Sequence, residues 1–198
     1  MEASQKAQKM KARKISDTLV LIIGVLLFLV SYKFDSQINL LFKNLKFPIF
    51  DAVLGIITNF GFVVLVIVLI PCLVIYKKNK KLVYLLWLTF IASFVLSFVI
   101  KLIVLRQRPV EAFTYPFTHI INYSFPSMHS MVVFSLLPAL IRYLPKQKSF
   151  WAGFAFLVAF SRIYFGFHFL SDVVFGILLG YLVGDYLLNL YDRQKLWK

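Results

Sequence analysis

The chain has 198 residues, of which 61% are hydrophobic, and a formal net charge of +14 at pH 7. Soluble domains are only about 45–50% apolar, so this composition excludes an ordinary soluble domain and indicates a protein whose solvent is a lipid bilayer. The positive charges fall in short clusters between apolar runs, which is typical of the loops of membrane proteins. The charge therefore does not indicate a nucleic-acid-binding protein.

Six apolar stretches are long enough to predict bilayer-spanning helices. We therefore expect an all-α bundle of six transmembrane helices, in one integral membrane domain over residues 1–198 with a basic tail at 1–15. No small-residue cleavage site follows the first apolar stretch, so we expect it to be retained and not removed as a signal peptide. The predicted helices are residues 16–34, 58–76, 82–105, 127–144, 150–165 and 169–191.

The positive-inside rule gives an orientation for these helices. If the N-terminus is cytoplasmic, the inner segments hold fifteen of the 22 lysines and arginines and the outer segments hold seven. That asymmetry predicts a multi-pass protein of the cell membrane with both termini cytoplasmic.

Three patterns concern packing rather than chemistry. Residues 37–47 place apolar side chains at helical spacing and predict a short amphipathic helix in the membrane interface, with a polar loop as the alternative. Gly176, Gly180 and Gly184 predict a smooth helix face that packs closely, either inside the bundle or in a homodimer. The single cysteine, Cys72, cannot form an intramolecular disulfide and is predicted to be a small core or lipid-facing residue.

Three polar clusters stand at predicted helix ends. Lys101 and Arg108 are two helical turns apart and share a face, and two cations on one face suit an anion with several oxygens. Snorkelling to the interface is the alternative for this pair. Ser127, Met128 and His129 begin the fourth predicted helix, where a serine and unpaired backbone N–H groups can hold a phosphate.

The third cluster contains Arg162, near the end of the fifth predicted helix, and His168 and Asp172, which straddle the start of the sixth. An aspartate four residues after a histidine can accept a hydrogen bond from one imidazole nitrogen and leave the other free to attack. The first two clusters share a membrane face because the third predicted helix ends where the fourth begins. One pair of helices then brings the third cluster back to that same face, which we expect to be the outer one. The clusters therefore predict a single site.

Together, the clusters resemble the signatures of the type 2 phosphatidic acid phosphatase family, which shares its site with vanadium haloperoxidases. The family motifs K-x6-R-P, P-S-G-H and S-R-x5-H-x3-D correspond here to segments 101–109, 126–129 and 161–172. One position departs from the pattern, because Met128 replaces the usual glycine. Met128 keeps the backbone N–H, so the change concerns the shape of the pocket and the choice of substrate.

The resemblance implies a metal-free, cofactor-free lipid phosphatase. In such an enzyme His168 is the nucleophile, Asp172 orients it, and His129 protonates the leaving group and then activates water. The phosphate is held by four side chains and one backbone N–H, those of Lys101, Arg108, Ser127, Arg162 and Met128. His119, in the loop before the second motif, is a weaker candidate for substrate contact.

The expected substrate is a membrane lipid phosphate, and a polyprenyl diphosphate such as undecaprenyl diphosphate is the first choice. Phosphatidylglycerophosphate, phosphatidate and glycolipid phosphates are alternatives, as is transfer of the phosphoryl group to a second lipid. A non-catalytic lipid-binding protein is a more distant alternative. A haloperoxidase is disfavoured because those relatives are soluble.

Overall fold

The computed structural model describes residues 2–45, 47–109 and 123–193, with side chains described from residue 18 onward. His119 lies outside these residues. Throughout the described ranges the regular structure is helical, which confirms the predicted all-α class. The elements are α1 (Glu2–Asn44), α2 (Pro48–Thr58), α3 (Phe60–Val64), a π-helical turn (Leu65–Leu69), α4 (Ile70–Tyr76), α5 (Lys80–Val104), α6 (Met128–Tyr143), a 3-10 turn (Pro145–Gln147), α7 (Lys148–Tyr164) and α8 (Leu170–Asp192).

The predicted helices from the second onward correspond to these elements within a few residues. Helices α5 to α8 match the last four, while α3, the π-helical turn and α4 together form the second. In the described part of the chain, three helices are long and apolar enough to cross a membrane. A fourth span is formed if α2 and the helical segment Phe60–Tyr76, which meet at a bend of 61°, are counted together as one. Helix α6 is apolar but shorter. The chain is thus a multi-pass membrane protein, and the number of six spans stays a prediction.

The predicted interfacial helix at residues 37–47 is wrong in its position. Helix α1 continues without a break to Asn44, because the sequence from residue 25 to 47 contains neither proline nor glycine to end it. Ile38 and Phe42 of this segment pack against the core. The short helix that does follow the first span is α2, which begins at Pro48, a residue suited to the first turn of a helix.

Helix α6 stands at the centre of the bundle and forms its largest contact with α8, while α5 and α7 also pack against α6, and α1 packs along α8. The glycine face of α8 makes the central contact possible. A Cβ atom on Gly176 would lie 2.8 Å from the Ser127 carbonyl oxygen, and one on Gly180 or Gly184 would meet the backbone of α6. The predicted close-packing face is therefore confirmed, and its partner is α6 of the same chain.

A polar cluster joins the helices at the end of α6 distant from Ser127. The Tyr143 hydroxyl donates to Asp192 at 2.9 Å, and Arg142 forms an ion pair with the same carboxylate at 3.1 Å. Asn79 donates to the Tyr191 hydroxyl at 2.9 Å. These contacts hold that end of the bundle together. The polar clusters identified in the sequence lie at the opposite end.

Candidate active site

The first cluster forms where α5 ends. Leu105 adopts a left-handed conformation (φ 52°) and stops the helix, so the chain turns away directly after the last helical turn. Lys101, in that turn, is only 2% exposed. Its ammonium group donates to the carbonyl oxygens of Tyr123 at 2.6 Å and Ser124 at 3.4 Å. Because an ammonium carries three donors, Lys101 is held in place with a donor left for a ligand.

The second cluster forms the start of α6. Ser127 is the N-cap, and its hydroxyl accepts from the backbone N–H of Ser130 at 3.4 Å and from the Ser130 hydroxyl at 2.9 Å. Its own N–H donates to the Asp172 carbonyl at 3.1 Å, which fixes this helix end against the start of α8. Met128 is half-buried and packs against the core. The His129 ring lies edge-on to Phe60 with 5.0 Å between centroids.

The third cluster depends on a tight turn between α7 and α8. Gly166 has a positive φ of 68°, a conformation that side chains disfavour, and it ends α7 as a C-terminal glycine commonly does. The chain then reverses, and the His168 N–H donates to the Arg162 carbonyl at 3.2 Å. The turn carries His168 back to the end of α7, beside Arg162.

His168 is buried, with 3% of its surface exposed, and its two ring nitrogens face opposite charges. Nδ1 lies 3.6 Å from Asp172 Oδ2, and Nε2 lies 3.4 Å from Arg108 Nη1. The hydrogen bond predicted between His168 and Asp172 is therefore not formed, because 3.6 Å is beyond hydrogen-bond distance. The reason is competition, since Asp172 Oδ2 already accepts from the Ser124 hydroxyl and from the Phe169 N–H.

Cations of the first and third clusters act on this imidazole. Burial lowers the pKa of His168 well below its usual 6.5, and the positive charges of Arg108, Lys101 and Arg162 lower that pKa further. His129 lies within electrostatic range of Arg162, His168 and Arg108. The structure thus brings the predicted residues of all three clusters together.

Backbone and side-chain acceptors hold the two motif arginines. Arg108 donates to the Phe167 carbonyl at 2.6 Å, and Arg162 donates to the Thr58 hydroxyl at 2.5 Å. The Arg162 guanidinium also lies 4.5 Å from the centre of the Phe167 ring. Thr58 ends α2, so this short helix lies beside the site.

Sequence reasoning missed an ionic network behind Asp172. Arg106 donates to Asp172 and to Asp35 at 2.7 Å each, and Ser171 donates to Asp35 through its N–H at 2.9 Å. Both aspartate side chains are buried. A signal was available, because a carboxylate next to an apolar helix requires a partner, but nothing in the sequence identified that partner.

The chemistry of the site suits an oxyanion. In the described ranges, no group of three or more His, Cys, Asp and Glu side chains is placed to hold a metal ion. The groups that converge are an ammonium, two guanidinium groups, a serine-capped helix start and two imidazoles. Such donors match the several oxygens of a phosphate.

A multi-pass helical membrane fold with a buried, cationic, two-histidine site defines a class of membrane enzymes acting on anionic groups. Comparison with known proteins gives the family. The profile described as the PAP2 superfamily matches residues 81–195. The chain is also 32% identical over 163 residues to phosphatidylglycerophosphatase B of Bacillus subtilis, covering 75% of this chain and 79% of that protein. The chain therefore belongs to the PAP2 superfamily.

Two other relatives carry a different name. The chain is 34% identical over 116 residues to an undecaprenyl-diphosphatase of Sulfolobus acidocaldarius, an alignment that spans about half (54%) of each protein. It is 26% identical over 141 residues to the undecaprenyl-diphosphatase BcrC of Bacillus subtilis, covering 69% of this chain and 72% of that one.

Solved structures agree on the fold. The crystal structure of a transmembrane PAP2-type phosphatidylglycerolphosphate phosphatase from Bacillus subtilis superposes with a TM-score of 0.71 at 24% identity, covering 92% of this chain and 98% of that chain. Aquifex aeolicus LpxE superposes with a TM-score of 0.63 at 26% identity, covering 78% and 94%.

Proposed function

We propose that this protein is a lipid phosphatase that hydrolyses a lipid phosphate or diphosphate through a phosphohistidine on His168. The observation that carries the proposal is the position of His168 Nε2, 3.4 Å from the Arg108 guanidinium and within the influence of Lys101 and Arg162. A phosphate bound by these cations would lie against the imidazole that attacks it. The neutral imidazole required for attack is favoured by the lowered pKa of His168.

In the first step, the Nε2 lone pair attacks phosphorus and the bond from phosphorus to the leaving oxygen breaks. His129 donates a proton to that oxygen, which leaves as an alcohol or a lipid monophosphate. The negative charge of Asp172, 3.6 Å from Nδ1, stabilises the positive ring of the phosphohistidine. In the second step, water attacks phosphorus, its proton passes to His129, and the N–P bond breaks to release phosphate.

Cationic side chains take the part that a metal ion takes in many other phosphoryl-transfer enzymes. Lys101, Arg108 and Arg162 balance the charge that spreads over the phosphate oxygens in the transition state. Ser127 and the first N–H groups of α6, including that of Met128, add donors at a positive helix end. We therefore propose a hydrolase that requires neither a metal ion nor a cofactor.

A polyprenyl diphosphate is the substrate we propose first, because two relatives are named undecaprenyl-diphosphatases. Phosphatidylglycerophosphate is the second candidate, favoured by the long alignment with phosphatidylglycerophosphatase B. We further propose that both termini are cytoplasmic and that the site opens at the outer face, where it meets lipid head groups while the tails stay in the bilayer.

Phosphate release by the detergent-purified protein, with EDTA present, tests the proposed activity. Wild type, His168→Ala and Asp192→Asn would be assayed on a polyprenyl diphosphate, phosphatidate and phosphatidylglycerophosphate. We expect release by the wild type and by Asp192→Asn, whose ion pair lies at the far end of the bundle, but not by His168→Ala. Equal activity of His168→Ala and wild type would refute the mechanism, and loss of wild-type activity in EDTA would refute metal independence.

The orientation can be tested with one introduced cysteine. Lys43→Cys in a Cys72→Ser background places a lone thiol on the exposed end of α1, which we expect at the outer face. A membrane-impermeant maleimide should label it in intact cells. Labelling only after the cells are broken would reverse the proposed topology.

A further inference from the structure

The start of α8 is capped by a carboxylate from another helix. The N-cap of α8 is Phe169, which has no polar side chain to accept the first N–H groups of the helix. Asp35 of α1 accepts the Ser171 N–H at 2.9 Å and the Ser171 hydroxyl at 2.5 Å. A buried carboxylate at a helix start is favoured by the helix dipole and by charge-assisted hydrogen bonds. Asp35 therefore fixes the turn of α8 that carries Asp172.

A single guanidinium joins this cap to the site. Arg106 donates through Nη2 to Asp35 Oδ2 and through Nη1 to Asp172 Oδ1, both at 2.7 Å. The guanidinium lies between two rings, 4.2 Å from the centre of Phe169 and 5.3 Å from that of Tyr32. Only 21% of the Arg106 side chain is exposed. Arg106 is thus held in one orientation, bonded to both carboxylates at once.

The network determines where Asp172 can point. Arg106 bonds to Oδ1, while the Ser124 hydroxyl and the Phe169 N–H bond to Oδ2. With these donors in place, Oδ2 stays 3.6 Å from His168 Nδ1. That distance is too long for a hydrogen bond, but it is short enough for a strong electrostatic interaction between the carboxylate and a charged ring.

The charges of the network add a second effect. Asp35, Arg106 and Asp172 carry a net charge of −1 when both carboxylates are ionised. If Asp35 were absent, Arg106 would neutralise Asp172, and little negative charge would remain to stabilise a positive ring on His168. If Arg106 were absent, two buried carboxylates would face each other without a cation, which is strongly unfavourable.

From these contacts we propose that Asp35 and Arg106 are positioning residues that hold Asp172 in place and set how much of its negative charge reaches His168. This inference rests on the proposed function, because it assigns the two residues to the nucleophile of that mechanism. The other charged or titratable groups around His168 are Arg108, Lys101, Arg162 and His129. None of these is changed in the variants that test the proposal.

Asp35→Asn and Arg106→Gln test the proposal through effects of opposite sign. For Asp35→Asn we expect kcat to fall by about 10- to 100-fold, the range typical for loss of a residue that orients a metal ligand, because Asp35 orients Asp172 in a comparable way. KM should change less than about threefold. In the pH profile of kcat/KM, the acid limb, which reports protonation of His168, should move to lower pH because the net positive charge around His168 rises. In Arg106→Gln the same limb should move to higher pH, because a positive charge is lost.

Two conservative variants and one control separate positioning from general stability. Asp35→Glu and Arg106→Lys keep the charges and should return the acid limb to within a few tenths of a unit of the wild type, even if kcat stays reduced. Asp192→Asn breaks another ion pair of α8, remote from the site, and should leave kcat and the limb unchanged. The double variant Asp35→Asn/Arg106→Gln should be more active than Arg106→Gln alone, because it removes the unpaired carboxylate.

The outcomes distinguish this proposal from the proposed function. If the acid limb of the kcat/KM profile moves in the same direction in Asp35→Asn and Arg106→Gln, or moves in neither, the positioning role is refuted. Additive losses in the double variant would also refute it. A wild type without phosphatase activity would instead refute the proposed function itself.

Discussion

Replacing Gly176 by alanine tests whether the packing of α8 on α6 sets the geometry of the active site. A Cβ at this position would lie 2.8 Å from the Ser127 carbonyl oxygen and 3.2 Å from Ser130 Cβ. Contacts below 3.0 Å are essentially never seen at a Cβ, and 3.4 Å begins ordinary contact. The two helices must therefore separate by a few tenths of an ångström at the point where α6 presents Ser127 and His129.

That separation should reduce both activity and stability. Overpacking costs about 1–3 kcal/mol, and the better helix propensity of alanine returns up to about 1 kcal/mol. The shift also stretches the contact from the Ser127 N–H to the Asp172 carbonyl, 3.1 Å long. Because a misplacement of about 1 Å can cost about 100-fold in rate, we expect kcat to fall roughly three- to tenfold.

Phosphate release and thermal unfolding in detergent measure the two effects. Gly153→Ala is the matched control, since a Cβ at Gly153 in α7 would meet nothing within 4 Å. That variant should keep its kcat and be equally or slightly more stable. Wild-type kcat in Gly176→Ala, or an equal loss in Gly153→Ala, would show that the glycine contact does not set the site.

Four further outcomes follow from the site. His168→Gln should lower phosphate release by roughly 1000-fold or more, because the nucleophile is lost; a fall below tenfold contradicts the mechanism. Lys101→Met should lower kcat/KM about 10- to 100-fold, since a charge-assisted hydrogen bond contributes about 1.5–3 kcal/mol, whereas exposed Lys43→Met should have no effect. In the pH profile of wild-type kcat/KM, the acid limb should lie below pH 6.5, because the lowered pKa keeps His168 neutral until the pH falls through that pKa. An acid limb above pH 6.5 that is assigned to His168 would contradict this prediction. Met128→Gly should retain phosphate release while changing the ratio of kcat/KM between a lipid diphosphate and a monophosphate, and an unchanged ratio would show that this side chain does not shape the pocket.

Helix positions and the convergence of the site were predictable because both follow from local rules. Apolar runs of about 20 residues predict spans, and an even number of helices between two clusters returns the chain to the same face. These rules placed Lys101, His129 and His168 in one site. They failed for residues 37–47, where a helical pattern continued α1 because no breaker intervened.

Features that depend on competition between partners were not predictable. The spacing of His168 and Asp172 indicated a hydrogen bond, but nearer donors occupy the carboxylate. Arg106 and Asp35 are separated by 71 positions in the sequence, and no periodicity links a residue of α1 to one beyond α5. The glycine spacing of α8 predicted a close contact but could not distinguish α6 of the same chain from a second copy.

The contact between Arg108 and His168 has a consequence for the order of events in the proposed mechanism. In the structure, Arg108 Nη1 lies 3.4 Å from the Nε2 atom that must attack and 2.6 Å from the Phe167 carbonyl oxygen. Phosphate carries a charge opposite to that of the guanidinium and offers several oxygens for bidentate hydrogen bonds, whereas the neutral imidazole offers one nitrogen. An arriving phosphate should therefore draw the guanidinium from the imidazole. The Phe167 carbonyl keeps Arg108 at the site during this exchange. Binding of the phosphate thus exposes the lone pair of His168 only when phosphorus is in position to receive it.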